Sequence, residues 1–218
     1  MNIVLLGPPG AGKGTQAKVL SQEFGVLHVS TGDMLRDAVK RGTSVGKSAK
    51  TYMDNGELVP DDLVINMVSE RILQKDVKRG FLLDGFPRNK TQALELDDAL
   101  TRIGKSLDLV LYFKTSPEVS IERLSGRRAC TECGANFHIR NMPPRKEGIC
   151  DHCGGSLVLR NDDTPETVKR RLSVYENETE SLIEYYKQKG TLREVSGNLD
   201  VKKLFTKIKG LFLEERLL

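Results

Sequence analysis

Gly7-Pro8-Pro9-Gly10-Ala11-Gly12-Lys13-Gly14-Thr15 decides how the rest of the chain is read. It follows the short run Asn2–Leu6 and opens a segment with apolar residues at Ala17, Leu20 and Phe24, the spacing of one helix face. A glycine-rich loop between a strand and a helix can wrap its backbone N–H groups around a phosphate, and the helix N-terminus adds partial positive charge. Lys13 supplies a point charge for the outer phosphates of a nucleoside triphosphate. The usual form of this P-loop has Ser or Thr directly after the lysine; here Gly14 takes that place and Thr15 follows.

Further strand-like runs follow at Val26–Ser30, Phe81–Asp84, Leu109–Phe113 and Leu192–Val195. They are continuously apolar rather than alternating, as expected of strands buried on both faces of a parallel sheet. Helical spacing separates them: Ala93, Leu96, Leu100 and Ile103 make one apolar face, and Leu204, Ile208 and Leu211 another. Ser116-Pro117 and Thr164-Pro165 each offer a capping hydroxyl before a first-turn proline, and Asp200 can cap the last helix. The alternation predicts an α/β fold, a P-loop doubly wound parallel five-stranded sheet with ligands at the carboxyl ends of its strands. Asp84, ending the apolar Phe81-Leu82-Leu83, is placed to face the Mg²⁺ of a bound nucleotide, or else begins a turn with Gly85.

Two stretches break the alternation. Residues 31–75 read as consecutive helices interrupted at Gly42-Thr43, Asn55-Gly56 and Pro60, and 126–163 hold no long periodic segment. Both are expected to project from the ligand-binding edge. The predicted division is a core of 1–29, 60–125 and 164–218, a helical insertion at 30–59 and a small lid at 126–163.

The 218 residues are 38% apolar and 29% charged, enough to build a core and far from a disordered composition. A net charge of +4 favours anionic ligands without making a dedicated nucleic-acid surface. No apolar run approaches the roughly 20 residues of a membrane span, and the opening residues lack the basic start of a signal peptide. A soluble cytoplasmic protein is expected.

Cys130-Thr131-Glu132-Cys133 and Cys150-Asp151-His152-Cys153 are two Cys-x-x-Cys knuckles sixteen residues apart. Four thiolates so spaced suit a tetrahedral, structural Zn²⁺, and iron in the same cage fits the spacing too. His138 and His152 are read as surface residues. A zinc ribbon raises the rival reading of a nucleic-acid-binding ATPase. Residues 126–163 carry six basic side chains against five acidic ones, with Phe137 the one Phe, Tyr or Trp, a poor surface for nucleic acid.

Gly7–Thr15, Ser30-Thr31-Gly32-Asp33, Asp84-Gly85-Phe86-Pro87-Arg88, Gly126-Arg127-Arg128 and the pair Arg160 and Arg171 together resemble the adenylate kinases, in the form with a long zinc-bearing lid. Their P-loop has the same Gly-Lys-Gly-Thr variant. The resemblance implies reversible phosphoryl transfer, MgATP plus AMP giving two ADP; a monomer with no nucleic-acid or membrane partner is expected. It implies that Gly10, Ala11, Gly12, Lys13, Gly14 and Thr15 bind ATP, with Asn136, Phe137 and Leu199 flanking its base. Thr31, Arg36, Glu57, Leu58 and Val59 in the first insertion, with Gly85, Phe86, Pro87, Arg88 and Gln92, would form the AMP pocket. Arg123, Arg127, Arg160 and Arg171 are similar to the family's phosphate clamps, the first two on the ATP side and the last two on the AMP side. The catalytic set would be Lys13, Asp84, Arg88, Arg123, Arg160 and Arg171. Such a reaction needs in-line positioning and cationic charge more than acid–base chemistry, and arginine's planar fork suits it. Thr31 could also cap its helix, Gln92 could read the adenine edge, and Arg123 and Arg127, four apart, are expected to share a helix end. Another nucleoside monophosphate as acceptor is the alternative. Both insertions are expected to close over the site and exclude water.

Overall fold

The computed structural model describes residues 1–218. The chain runs β1 (Asn2–Leu6), α1 (Lys13–Phe24), β2 (Leu27–Ser30), α2 (Thr31–Lys40), α3 (Ser44–Asn55), α4 (Asp61–Ile72), β3 (Phe81–Asp84), α5 (Lys90–Arg102), β4 (Leu109–Lys114) and α6 (Pro117–Ser125). Three short strands follow, β5 (Arg127–Cys130), β6 (Asn136–His138) and β7 (Leu157–Val158), then α7 (Pro165–Val174), a π-helical turn at Tyr175–Thr179, α8 (Ser181–Gln188), β8 (Leu192–Ser196) and α9 (Val201–Glu214). The main sheet is parallel throughout, in the order β2-β3-β1-β4-β8.

Both faces of the sheet are buried, which explains the unbroken apolar runs. Val4, Leu6, Leu83 and Val110 point into a core cluster shared with α2–α5 and α8, whereas Ile3, Leu5, Leu82 and Leu111 point into a second, closed by α1 and α9. A period of two on a strand puts neighbouring residues on opposite faces, so a strand covered on both sides has no polar phase. Along α9 the innermost residues are Leu204, Ile208 and Phe212, whereas the expected Leu211 is only half-buried beside them.

The expected caps form: the side chains of Ser116, Thr164 and Asp200 accept the N–H groups of Val119, Thr167 and Lys203. Helix α2 is capped by Ser30, which accepts from the Asp33 N–H, not by Thr31. Residues 126–163 form an antiparallel sheet in the order β6-β5-β7, with strands of four residues or fewer. Arg127 opens β5, so it does not share a helix with Arg123.

Candidate functional site

The P-loop joins β1 to α1 at the carboxyl edge of the sheet. Its backbone needs glycine at Gly10 and Gly12, where φ is +84° and +91°, a region L side chains rarely enter. A Cβ on Gly10 would also stand 2.7 Å from the Ser120 carbonyl oxygen. Gly14 is constrained by a neighbour: a Cβ there would lie 2.9 Å from Asp84 Oδ2. A Ser or Thr in that place would have to displace this carboxylate at the end of β3.

Around this loop lies a cavity of about 660 Å³. Its walls include every one of the expected ATP-side residues, from Gly10–Thr15 through Arg123, Arg127, Asn136 and Phe137 to Leu199. They also include Thr31, Arg36, Glu57, Leu58, Val59, Gly85, Pro87, Arg88, Gln92, Arg160 and Arg171. Phe86 is the exception. Its ring is buried in the core cluster beneath the sheet and does not reach the cavity wall. Phe137 touches the cavity, yet its ring belongs to the lid's own small core beside Cys130.

The cations fall into two groups. Arg36 pairs with Asp33 at 2.7 Å, and Arg127 and Arg171 share the fully buried carboxylate of Asp163 at 2.5 and 2.9 Å. Lys13, Arg88, Arg123 and Arg160 have no carboxylate partner. Lys13 Nζ donates to the Gly7 and Pro8 carbonyls at 2.7 and 2.9 Å, and Arg88 Nε to the Gly85 carbonyl at 2.8 Å. Arg123 donates to the Gly197 and Leu199 carbonyls, and Arg160 to Asn136 Oδ1 at 2.6 Å. The cost of confining these charges appears in their protonation. Burial lowers Lys13 to about 8, against the attraction of Asp84. Burial and the neighbouring Arg171 lower Arg88 to about 10, and burial with Arg127 and Arg36 lowers Arg160 to about 9. Lys13, Arg88 and Arg160, desolvated and repelled by neighbouring cations more than nearby carboxylates offset, and hydrogen-bonded to neutral acceptors, favour an anion in this site.

Asp84 stands 3.4 Å from His28 Nε2. Burial pushes its carboxyl up, but the His28 side chain and the Lys13 charge outweigh that and leave it below the usual range. An ionised oxygen donor beside the P-loop is the ligand type Mg²⁺ takes. Thr31 is almost fully buried and donates to the Gly85 carbonyl at 2.9 Å, tying α2 to the loop after β3.

Sequence reasoning passed over Asp163, which counted only as one of several lid charges, and Asp162, which pairs with Arg171 at 3.2 Å. It also misplaced His138, which is buried: its Nδ1 accepts the backbone N–H groups of Arg140 and Asn141 at 3.0 Å each. Lone charges and histidines carry no periodicity to reveal such partners.

In the lid, the sulfurs of Cys130, Cys133, Cys150 and Cys153 lie within 4.8 Å of one another, with contacts of 3.4 and 3.6 Å. Tetrahedral Zn–S bonds of about 2.3 Å imply sulfur separations of about 3.8 Å, so the cluster is sized for such an ion. Backbone N–H groups from Cys133 and Glu132 help lower Cys130 to about 6. Against a backbone bond from Gly155 that lowers it, the neighbouring thiols push Cys153 up to about 12. A cation at the centre would let all four ionise.

A parallel sheet, a P-loop at its carboxyl edge and an anion-deficient cavity define a P-loop nucleotide-binding α/β protein. The family model for adenylate kinase matches residues 5–191. The adenylate kinase of Caldicellulosiruptor saccharolyticus is 54% identical over 201 residues, 92% of this chain and 94% of that one. That of Clostridium botulinum is 51% identical over 97% of this chain and 98% of its own, and that of Archaeoglobus fulgidus 49% over 97% of each. The chain belongs to the adenylate kinase family and is a phosphotransferase. No helix is long and apolar enough to cross a membrane.

Proposed function

We propose that the chain catalyses MgATP + AMP ⇌ 2 ADP, moving the terminal phosphoryl group of ATP onto a phosphate oxygen of AMP. The observation that carries this reading is the set of four cations, Lys13, Arg88, Arg123 and Arg160, that line one cavity without a carboxylate partner. The Gly10–Thr15 backbone and Lys13 would hold the outer phosphates of ATP, with Arg123 and Arg127 alongside and Asn136, Phe137 and Leu199 near its base. Thr31, Arg36, Glu57–Val59, Gly85, Pro87, Arg88, Gln92, Arg160 and Arg171 would receive AMP. Phe86 supports that pocket from the core. Mg²⁺ arriving with ATP would supply neutralising charge on the phosphate oxygens, with Asp84 as its donor on the protein. Arg88, Arg123, Arg160 and Arg171 would stabilise the charge that spreads over the transferring group while fixing donor and acceptor in line.

In this reading residues 30–59 form the AMP-binding insertion and 126–163 a zinc-bearing lid, both closing over a core of 1–29, 60–125 and 164–218. Contacts from the first insertion to the lid and to α7 support closure: Lys40 Nζ donates to the Thr131 carbonyl at 3.3 Å, and Glu57 pairs with Arg170. Closure would exclude water, the competing acceptor. Four unpaired thiols suit the reducing cytoplasm, where we place the protein as a monomer.

The test is ADP formation from MgATP with AMP, GMP, CMP and UMP in parallel. AMP should support turnover far better than the others, with little ATP loss in the absence of any acceptor. Equal use of several monophosphates, or acceptor-free hydrolysis at the full rate, would overturn the reading.

A further inference from the structure

Behind Gln92, off the cavity wall, lies a carboxylate with no part in phosphate binding. Asp61, at the start of α4, accepts from Gln92 Nε2 at 2.7 Å through Oδ1. The same Oδ1 accepts from Asn89 Nδ2 at 3.0 Å, and Oδ2 does so at 3.1 Å. On the other side of the amide, Gln92 Oε1 accepts the backbone N–H of Arg88 at 2.8 Å. Asn89 Oδ1 caps α5 by accepting the Gln92 N–H at 2.9 Å, which fixes where the Gln92 side chain starts. Gln92 lines the cavity; Asp61 does not.

These partners leave the amide one orientation. An ionised carboxylate only accepts and a backbone N–H only donates, so nitrogen must face Asp61 and oxygen must face Arg88. A primary amide has two N–H groups and two oxygen lone pairs. The protein engages one of each, which leaves one donor and one acceptor for a ligand. Gln92 lines the cavity, which is where that remaining edge can be met. A 6-aminopurine offers a complementary pair, the amino N–H beside the bare N1. A 6-oxopurine offers the reverse, an oxygen beside N1–H. A freely turning amide would serve either base by a half rotation, whereas a locked one sets donor against donor for the second.

We propose that Asp61 is a specificity-determining positioning residue: by locking the Gln92 amide it makes the acceptor pocket take a 6-aminopurine monophosphate and refuse a 6-oxopurine monophosphate. The inference rests on the AMP reading above. Without Asp61 only the neutral bond from Arg88 orients the amide, and turning it no longer breaks a charge-assisted bond.

The test compares kcat/KM for AMP and for inosine monophosphate, which differs from AMP only at N1 and C6, using the full chain with MgATP. In Asp61→Ala the preference for AMP should shrink at least about tenfold, through a higher KM for AMP and a lower one for the oxopurine, with KM for MgATP unchanged. Asp61→Asn should show an intermediate preference, because its amide oxygen can accept from Gln92 at the Oδ1 position while its NH2 meets the Asn89 amide where Oδ2 stood. Should Asp61→Ala fold poorly, Asp61→Ser supplies a residue suited to a helix start whose hydroxyl is too short to reach Gln92, and the same narrowing is expected. Equal losses for both substrates, or an unchanged ratio in Asp61→Ala and Asp61→Ser, would overturn the proposal. No preference for AMP in the unaltered protein would instead refute the reading on which it rests.

Discussion

The two excursions from the sheet, residues 30–59 and 126–163, stay ordered by different physics. Leu35, Ala49 and Val59 of the first belong to the same 19-residue buried cluster as the strands, so that region is an extension of the main core. The second has a cluster of only four buried residues, two of them cysteines, and shares none of the main core. Four apolar contacts cannot offset the ordering of nearly forty residues, at a backbone cost of about 1–2 kcal/mol each. One excursion borrows its stability from the core, and in the reading proposed above the other needs an ion. The two should therefore fail separately.

Metal removal is the strongest way to break this contrast. A chelator, or Cys130→Ser, should abolish amide-exchange protection across 126–163, since a structural zinc site contributes on the order of 10 kcal/mol. Protection in β1, β3 and β4 should persist, and ATP should still bind. Unchanged exchange in the lid would remove the metal from its structural role. Next in size, Leu35→Ala should lower the denaturant midpoint of the whole chain by an equivalent of about 2–5 kcal/mol while leaving the lid cluster intact. Local melting of the insertion alone would contradict the shared core.

A third experiment sharpens the contrast by touching a residue that belongs to neither excursion. Arg88→Ala should reduce turnover about 100–1000-fold. The unliganded protein should not melt earlier, because the variant deletes a half-buried charge that has no carboxylate partner. A near-normal rate would remove Arg88 from the site. The smallest effect concerns pH. Lys13 sits at about 8 in the free protein and should rise when phosphates bind it. Binding therefore takes up a proton above pH 8, so ATP affinity should weaken by up to about tenfold per unit as pH climbs from there, and stay flat below it. Lys13→Met should bind more weakly and lose this slope, as isothermal titration across pH 7–10 would show.

How much of this was legible beforehand follows from the range of each interaction. Strands, caps and helix breaks are written in neighbouring residues, and the five sheet strands, the caps at Ser116, Thr164 and Asp200, and the breaks at Gly42 and Gly56 were readable as such. The P-loop was readable for the same reason. Lid strands of two to four residues are too short to show a period. Arg127 therefore looked like a continuation of the helix bearing Arg123. Which arginines keep a carboxylate partner depends on Asp163, 36 residues from Arg127 in the chain. The lock on Gln92 depends on Asp61, 31 residues away. Phe86 sits inside a motif of cavity residues yet faces the core, and nothing in its local sequence distinguishes the two orientations.

The sharpest examination of the whole account is a crystal grown with a dinucleotide in which two adenosines are joined through a chain of phosphates. One adenosine should lie beyond Lys13 toward Leu199 and the other against Gln92, with the phosphates spanning Arg88, Arg123 and Arg160. Density for a single adenosine near Lys13, with only solvent beside Arg88 and Gln92, would contradict it.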